Sequence, residues 1–322
     1  MSSPRYTSVV APLPSIVPFV GPEAQERARG APFIARIGAN ESVFGPSPKA
    51  VAAMQTAAGE CWMYCDPENH DLKAALAREL GVGPANIVVG EGIDSLFGYT
   101  VRLVTEPGDV VVTSLGAYPT FNFHVAGYGG RLVAVPYVND REDPQSLIAA
   151  VRRERPKLVF FANPDNPMGS WWPAAAVSAL SEAIPAETIL VLDEAYIEFA
   201  PAGTAPPLDV THPNVVRYRT FSKAYGMAGA RIAYAIAEES LARSFDKVRN
   251  HFSVNRIAQA GALAALADKA YLAEVVARVA AARTRIGEIA ARHGLMPLPS
   301  ATNFVTIDCG GDGSHAKRIL DA

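Results

Sequence analysis

From about residue 68 the chain alternates between two apolar patterns. "ENHDLKAALARELG" carries its leucines and alanines at helical spacing and stops at Gly81. "NIVVG" is then apolar without a polar face, which predicts a short strand covered on both sides. The pair repeats along the chain. "DSLFGYTVRLV" predicts a helix and "DVVVTS" a strand; "YPTFNFHVAGYG" a helix and "RLVAVPY" a strand; "PQSLIAAVRRE" a helix and "KLVFFA" a strand; "AAAVSALSEAI" a helix and "TILVLDEAY" a strand. After a proline-rich loop, "NVVRYRT" is a further strand. Beyond residue 238 the pattern turns helical. Ala270 to His293 predicts one long helix with Gly294 as its stop, and "NFVTIDC" predicts a strand after it.

Buried strands alternating with helices predict an α/β fold. The expected architecture is a three-layer α/β/α large domain around a mainly parallel sheet, with a smaller α+β domain beside it. The expected bounds are 1–45 for an N-terminal arm and part of the small domain, 46–238 for the large domain and 239–322 for the small C-terminal one. Such sheets bind ligands at the carboxyl ends of their strands.

Composition narrows the class. The 322 residues are 49% hydrophobic and 19% charged, which is globular, and a formal net charge of −3 without a long basic run gives no reason to expect nucleic acid or an anionic membrane. Cys61, Cys65 and Cys309 are an odd count without CxxC spacing, as expected of reduced thiols in a cytoplasmic protein. The six histidines are scattered and form no HExxH, so no metal is expected. "VVAPLPSIVPFVG" is apolar enough to resemble a signal peptide, but Pro12, Pro14 and Pro18 break it, and it reads as an extended arm against other protein surface.

The chemistry collects after strands. In "RTFSKAYGMAGARIAY", Lys223 stands among small and apolar residues, with Thr220 and Ser222 before it and Arg231 after it. A poorly hydrated lysine loses part of its preference for the charged form, and a neutral amine can attack an aldehyde. Hydroxyls and a guanidinium suit a phosphate. One segment can thus hold both ends of a small phosphorylated aldehyde. In "TILVLDEAY", Asp193 ends an apolar strand; an aspartate held there suits a cationic ring nitrogen, as in pyridoxal phosphate. In "FANPDNPMGS", Asn163, Asp165 and Asn166 follow another strand, which on its own reads as a tight turn. In "NIVVGEGIDSLFG", Gly92, Ile93 and Asp94 open a helix whose amides suit a phosphate. A dinucleotide fold is the rival there. Ser95 replaces the third glycine of that fingerprint, and "DVVVTS" ends in Ser114 without the acidic residue that would hold a ribose.

Taken in order, "NPDNPMG", "VLDEAYIEF" and "TFSKAYGMAGARIAY" resemble the fold-type I PLP-dependent aminotransferases, and among them most closely the histidinol-phosphate aminotransferases. The likeness runs from "GANESVFGPSPKAVAAM" through "HFSVNRIAQAGALAAL" to "PSATNFVTI". The resemblance implies pyridoxal 5'-phosphate as cofactor, joined to Lys223, which would also move protons. It implies Asp193 at the pyridine nitrogen, Asn166 and Tyr196 at the phenolic oxygen, and Tyr118 stacked on the ring. Gly92, Ile93, Asp94, Thr220, Ser222 and Arg231 would hold the phosphate. Tyr64, in "YCDPENHDLKAAL", would reach it from a second copy, which implies a homodimer. Asn40, in "GANES", would lie near the substrate.

Two departures from the family pattern stand out. Met168 replaces a threonine, with Trp171 and Trp172 expected to add bulk near the entrance. The sequence also stops at "SHAKRILDA", before a segment that supplies a substrate-binding arginine in the family, so the chain is either truncated or without that anchor. The implied activity is transamination between histidinol phosphate, or a related aromatic amino acid, and 2-oxoglutarate. The alternatives are a decarboxylase of an amino-acid phosphate, similar to threonine-phosphate decarboxylase, and a non-catalytic PLP-binding protein.

Overall fold

Runs such as "LVFFA" and "ILVLD" have no polar face to turn to water, and each is a strand inside a single seven-stranded sheet. The computed structural model describes residues 5–15, 19–36 and 38–321. Its strands are β1 (Ile87–Gly90), β2 (Val110–Ser114), β3 (Arg131–Val135), β4 (Leu158–Ala162), β5 (Ile189–Asp193), β6 (Val215–Thr220) and β7 (Ala233–Ile236), in the order β1-β7-β6-β5-β4-β2-β3. β7 runs antiparallel to both its neighbours, and the pairs among β2 to β6 are parallel. The mainly parallel α/β sheet expected from the pattern is therefore present.

Helices cover the sheet: α3 (His70–Leu80), α4 (Ile93–Val104), α5 (Pro119–Gly127), α6 (Pro144–Glu154) and α7 (Ala174–Ala183) follow the expected segments. Gly81 ends α3 at φ 69°, the left-handed conformation that glycine adopts at little cost. Beneath the strand ends lies an aromatic cluster. Phe97 of α4 meets Phe121, Phe160 and Tyr218 edge-on, with centroids at 5.6, 5.7 and 5.0 Å. All four side chains are fully buried, so the helix that opens at Gly92 is fixed against β4 and β6.

β7 was not expected from sequence. "AYAI" is short and half alanine, so its own strand preference is weak, and it forms because two neighbours pair with it. Two more helices lie ahead of residue 68: α1 (Pro22–Arg29) and α2 (Pro48–Ala58). α2 carries a legible start signal, with Pro48 in its first turn and Ser47 Oγ accepting from the Ala50 amide at 3.1 Å.

The C-terminal part holds α8 (Glu239–Ser244), α9 (Arg256–Ala267), α10 (Lys269–Arg292) and α11 (Ser314–Asp321), with β8 (Met296–Pro297) paired to β9 (Ile307–Asp308). α10 matches the predicted long helix, and Gly294 follows it at φ 72°. The strand expected over "NFVTIDC" shrinks to two residues. The hydroxyls of "PSATN" compete for the backbone: Ser300 Oγ donates to the Phe304 carbonyl at 2.6 Å and curls the chain. α9 packs along α2 through Ala50, Ala258, Ala262 and Ala265, and Lys49 reaches Asp268 at 3.1 Å.

The N-terminal arm is not extended throughout. The amides of Val10 and Ala11 return to the Thr7 carbonyl at 3.1 and 2.9 Å, and the Thr7 hydroxyl accepts from Val10 at 3.3 Å, which makes a turn. Pro18 lies outside the described residues. Among the described residues, no helix is long and apolar enough to cross a membrane.

Candidate active site

Register brings the motifs together. Ala162 pairs with Asp193, Asp193 with Tyr218, and both Thr220 and Gly90 with Ala233. The segments after β1, β4, β5 and β6 thus open on one edge of the sheet, where a cavity of about 510 Å³ lies. Lys223, Asp193, Tyr196, Asn166 and Tyr118 line it, as do Ile93, Asp94, Thr220, Ser222, Arg231 and Asn40.

Asp193 alternates with Glu194 across the strand. Glu194 points away and is 1% exposed; it pairs with Arg217 (2.5 Å) and Arg219 (2.9 Å) and so ties β5 to β6. These arginines hold the Glu194 carboxyl below its usual range despite its burial. Among the described residues, Asp193 has no such partner. Its Oδ1 accepts from the Ala195 amide at 2.9 Å, and burial pushes its pKa up to about 7. It is a buried carboxylate on a cavity wall, stabilised by one backbone amide.

Lys223 has the opposite problem. Burial lowers its pKa to about 8, against the attraction of Asp193 and Glu41. Its Nζ donates to the Asn40 carbonyl at 3.2 Å and stands 5.4 Å from the centre of the Tyr196 ring. Asn40 adopts φ 54°, uncommon outside glycine, and its carbonyl also accepts from Asn303 Nδ2 at 2.9 Å. Asn303 was not singled out from sequence. It lies 80 residues after Lys223 in a loop that reads as strand, and only the fold brings the two to the same carbonyl.

The Tyr196 hydroxyl receives Asn166 Nδ2 at 3.2 Å and Asn40 Nδ2 at 3.5 Å, and burial raises its pKa well above the usual phenol value. At the far end, Thr220 Oγ1 donates to Ser222 Oγ at 2.9 Å and accepts from the Ser222 amide at 3.0 Å. Arg231 takes φ 56°, and its guanidinium lies directly against Gly92. Gly92 is the N-cap of α4 at φ 96°, and a Cβ there would collide with the guanidinium. Gly92→Ala is accordingly expected to displace Arg231 and strain the helix start; the check is a lower melting temperature together with weaker binding of inorganic phosphate.

Tyr64, expected to serve a second copy and not its own chain, does not line this cavity: it is 78% exposed and packs against Phe252 at 4.7 Å. Met168 and Trp171, the latter expected near the entrance, fall elsewhere. They line a separate cavity with Arg141 and Leu298, because the turn after β4 bends them away. Trp172 is tied down by a hydrogen bond from Nε1 to the Glu142 carbonyl at 2.8 Å and by Arg141 at 3.9 Å from its ring. Asp165 faces inward toward Glu142, and burial of the two carboxyls together raises both pKa values. Ser114, at the end of β2, donates to Glu142 Oε2 at 2.7 Å.

Comparison with known proteins agrees with this geometry. Residues 34–319 match the family model for aminotransferase class I and II. The chain is 37% identical to the histidinol-phosphate aminotransferase of Anaeromyxobacter sp. (strain Fw109-5), covering 97% of this chain and 86% of that one. It is 39% identical to histidinol-phosphate aminotransferase 1 of Mesorhizobium japonicum, covering 89% and 80%. Among solved structures, histidinol-phosphate aminotransferase from Sinorhizobium meliloti, in complex with pyridoxal-5'-phosphate, superposes with a TM-score of 0.95 at 60% identity, covering 99% of this chain and 86% of that one. With its sheet, its strand-end cavity and these relatives, the chain belongs to the class I and II aminotransferases of fold type I.

Proposed function

We propose that the protein is a pyridoxal-phosphate-dependent aminotransferase that moves the amino group of histidinol phosphate to 2-oxoglutarate, leaving the corresponding ketone and glutamate. The carrying observation is the placing of Lys223 and Asp193 on one cavity wall, a lysine whose pKa burial lowers to about 8 beside a buried carboxyl that, among the described residues, has no salt-bridge partner.

The cavity fits the cofactor. Asp193 needs a positive group, and a protonated pyridine nitrogen supplies one. The cradle that a Cβ at Gly92 would fill, with Arg231 above it and the Thr220 and Ser222 hydroxyls beside it, suits a phosphate dianion. When bound, pyridoxal 5'-phosphate supplies an aldehyde for amines and a ring that accepts the electron pair left when a proton leaves the amino-bearing carbon. Asn166 and Tyr196 would donate to the phenolic oxygen, and Tyr118 would cover one face of the ring. The Lys223 amine takes the substrate's proton, which it can do only while neutral; a lowered pKa keeps that fraction substantial near pH 8. Asn40 and Asn303 orient Lys223 through the shared carbonyl.

Glutamate release from histidinol phosphate and 2-oxoglutarate tests the assignment. Carbon dioxide release with an amino-acid phosphate, without glutamate, would instead make the enzyme a decarboxylase. Arg231→Gln is expected to weaken cofactor retention by about 100-fold, since a bidentate charged contact is replaced by a neutral one; dialysis against cofactor-free buffer reads this.

We read the enzyme as a homodimer in which Tyr64 serves the neighbouring copy's phosphate. Its exposure and its absence from the lining of its own cavity support this. Mixing inactive Tyr64→Ala and Lys223→Ala proteins then restores activity after subunit exchange, because one site of each mixed dimer is whole. If Tyr64 served its own chain, no mixed site would be intact. The three free cysteines support a cytoplasmic location.

A further inference from the structure

His124 has no part in the reaction described above, yet it touches Asp94, a residue of the cavity wall. It lies on α5, and its Nε2 is 2.9 Å from Asp94 Oδ1. Asp94 is in the first turn of α4 and lines the cavity. A carboxylate in that place works against the site. The helix start and Arg231 are arranged for an anion, and a second negative charge within a few ångströms opposes it.

The fold places the imidazole against that carboxylate. Among the described residues, His124 is the one group within ion-pair distance of Asp94. The ring is seated on the bare backbone of Gly98, one helical turn beyond Asp94: a Cβ added there would stand 2.9 Å from both Cε1 and Nδ1. No other residue at position 98 leaves the ring where it is.

We propose that His124 is a positioning residue for the phosphate site, engaging the Asp94 carboxylate through its ring nitrogen so that the helix start accepts a dianion. This rests on the reading of the cavity as a pyridoxal-phosphate site. The pair is partly open, with side-chain exposures of 22% and 47%, so it adds little to the stability of the unliganded protein, and its effect falls on anion binding.

Two readouts avoid turnover altogether. One is the rate at which holoenzyme loses its visible absorbance to a cofactor scavenger. The other is the concentration of inorganic phosphate that raises the melting temperature of the unliganded protein. His124→Phe keeps a ring on Gly98 and removes the nitrogen that meets Asp94. It should lose cofactor about tenfold faster and need about tenfold more phosphate. Gly98→Ala should do the same by displacing the ring. Asp94→Asn should bind phosphate no more weakly than wild type, and Asp94→Asn with His124→Phe should return to within about twofold of it. A His124→Phe protein that holds cofactor and phosphate as wild type does overturns the proposal, and so does a double variant as weak as His124→Phe alone. Wild-type protein that never takes up the cofactor would instead overturn the functional reading itself.

Discussion

Lys223→Ala is expected to slow amino transfer from histidinol phosphate by about 10⁴-fold or more. On the proposed reading two losses coincide: the amine that attaches the cofactor and the group that moves the substrate's proton. Lys223→Arg is the sharper variant. It keeps a cation at the cavity wall and the contact with the Asn40 carbonyl, but a guanidinium does not deprotonate in a protein. If charge alone mattered, Lys223→Arg would retain activity; if a neutral amine matters, it is as inactive as the alanine variant. The lowered pKa adds a pH signature. With an amine at about pKa 8, the unprotonated fraction is near one half at pH 8 and about a tenth at pH 7, so the rate at which free protein takes up pyridoxal phosphate should climb across that interval. Rapid-mixing absorbance measurements at several pH values check this, and a flat profile would remove the neutral amine from the account.

Most of the large sheet is legible in sequence because its strands are buried on both faces, while glycines mark the ends of two helices. Leu158–Ala162 and Ile189–Asp193 announce themselves by having no polar side, and Gly81 and Gly294 mark stops. β7 escapes for the converse reason: its four residues depend on partners from residues 87–90 and 215–220, which no local window contains. The site divides in the same way. Lys223, Asp193 and Arg231 lie in short motifs whose residue types already imply an amine, an anion and a phosphate anchor. Asn303 and His124 make their contacts 263 and 30 residues away, and single residues at such separations leave no pattern. The two tryptophans mislead because adjacency in sequence to Asn166 is not adjacency in space: Gly169 takes φ 75° and turns the chain out of the cavity.

Asp193→Asn is expected to cost about 10²- to 10³-fold in turnover with little change in shape. Asparagine keeps the contact with the Ala195 amide but cannot hold a proton on a ring nitrogen. The same substitution has a consequence in the unliganded protein that separates electrostatics from packing. Folding raises the Asp193 pKa from 3.8 to about 7, because burial disfavours the charged form. The folded state therefore binds this proton more tightly than the unfolded chain does. Its contribution to stability is fully present below about pH 4 and is lost as the pH rises through 7, by on the order of 4 kcal/mol. Asparagine has no such charge to bury. Measured against wild type, the unliganded Asp193→Asn protein should gain relative melting temperature between pH 4 and pH 7 and hold that gain above pH 7. Saturating cofactor should erase the difference, since a cationic ring nitrogen compensates the carboxylate in the native protein and has nothing to compensate in the variant. If the two melting curves run parallel from pH 4 to pH 8, Asp193 is not a strained anion, and the pairing with a protonated ring loses its physical basis.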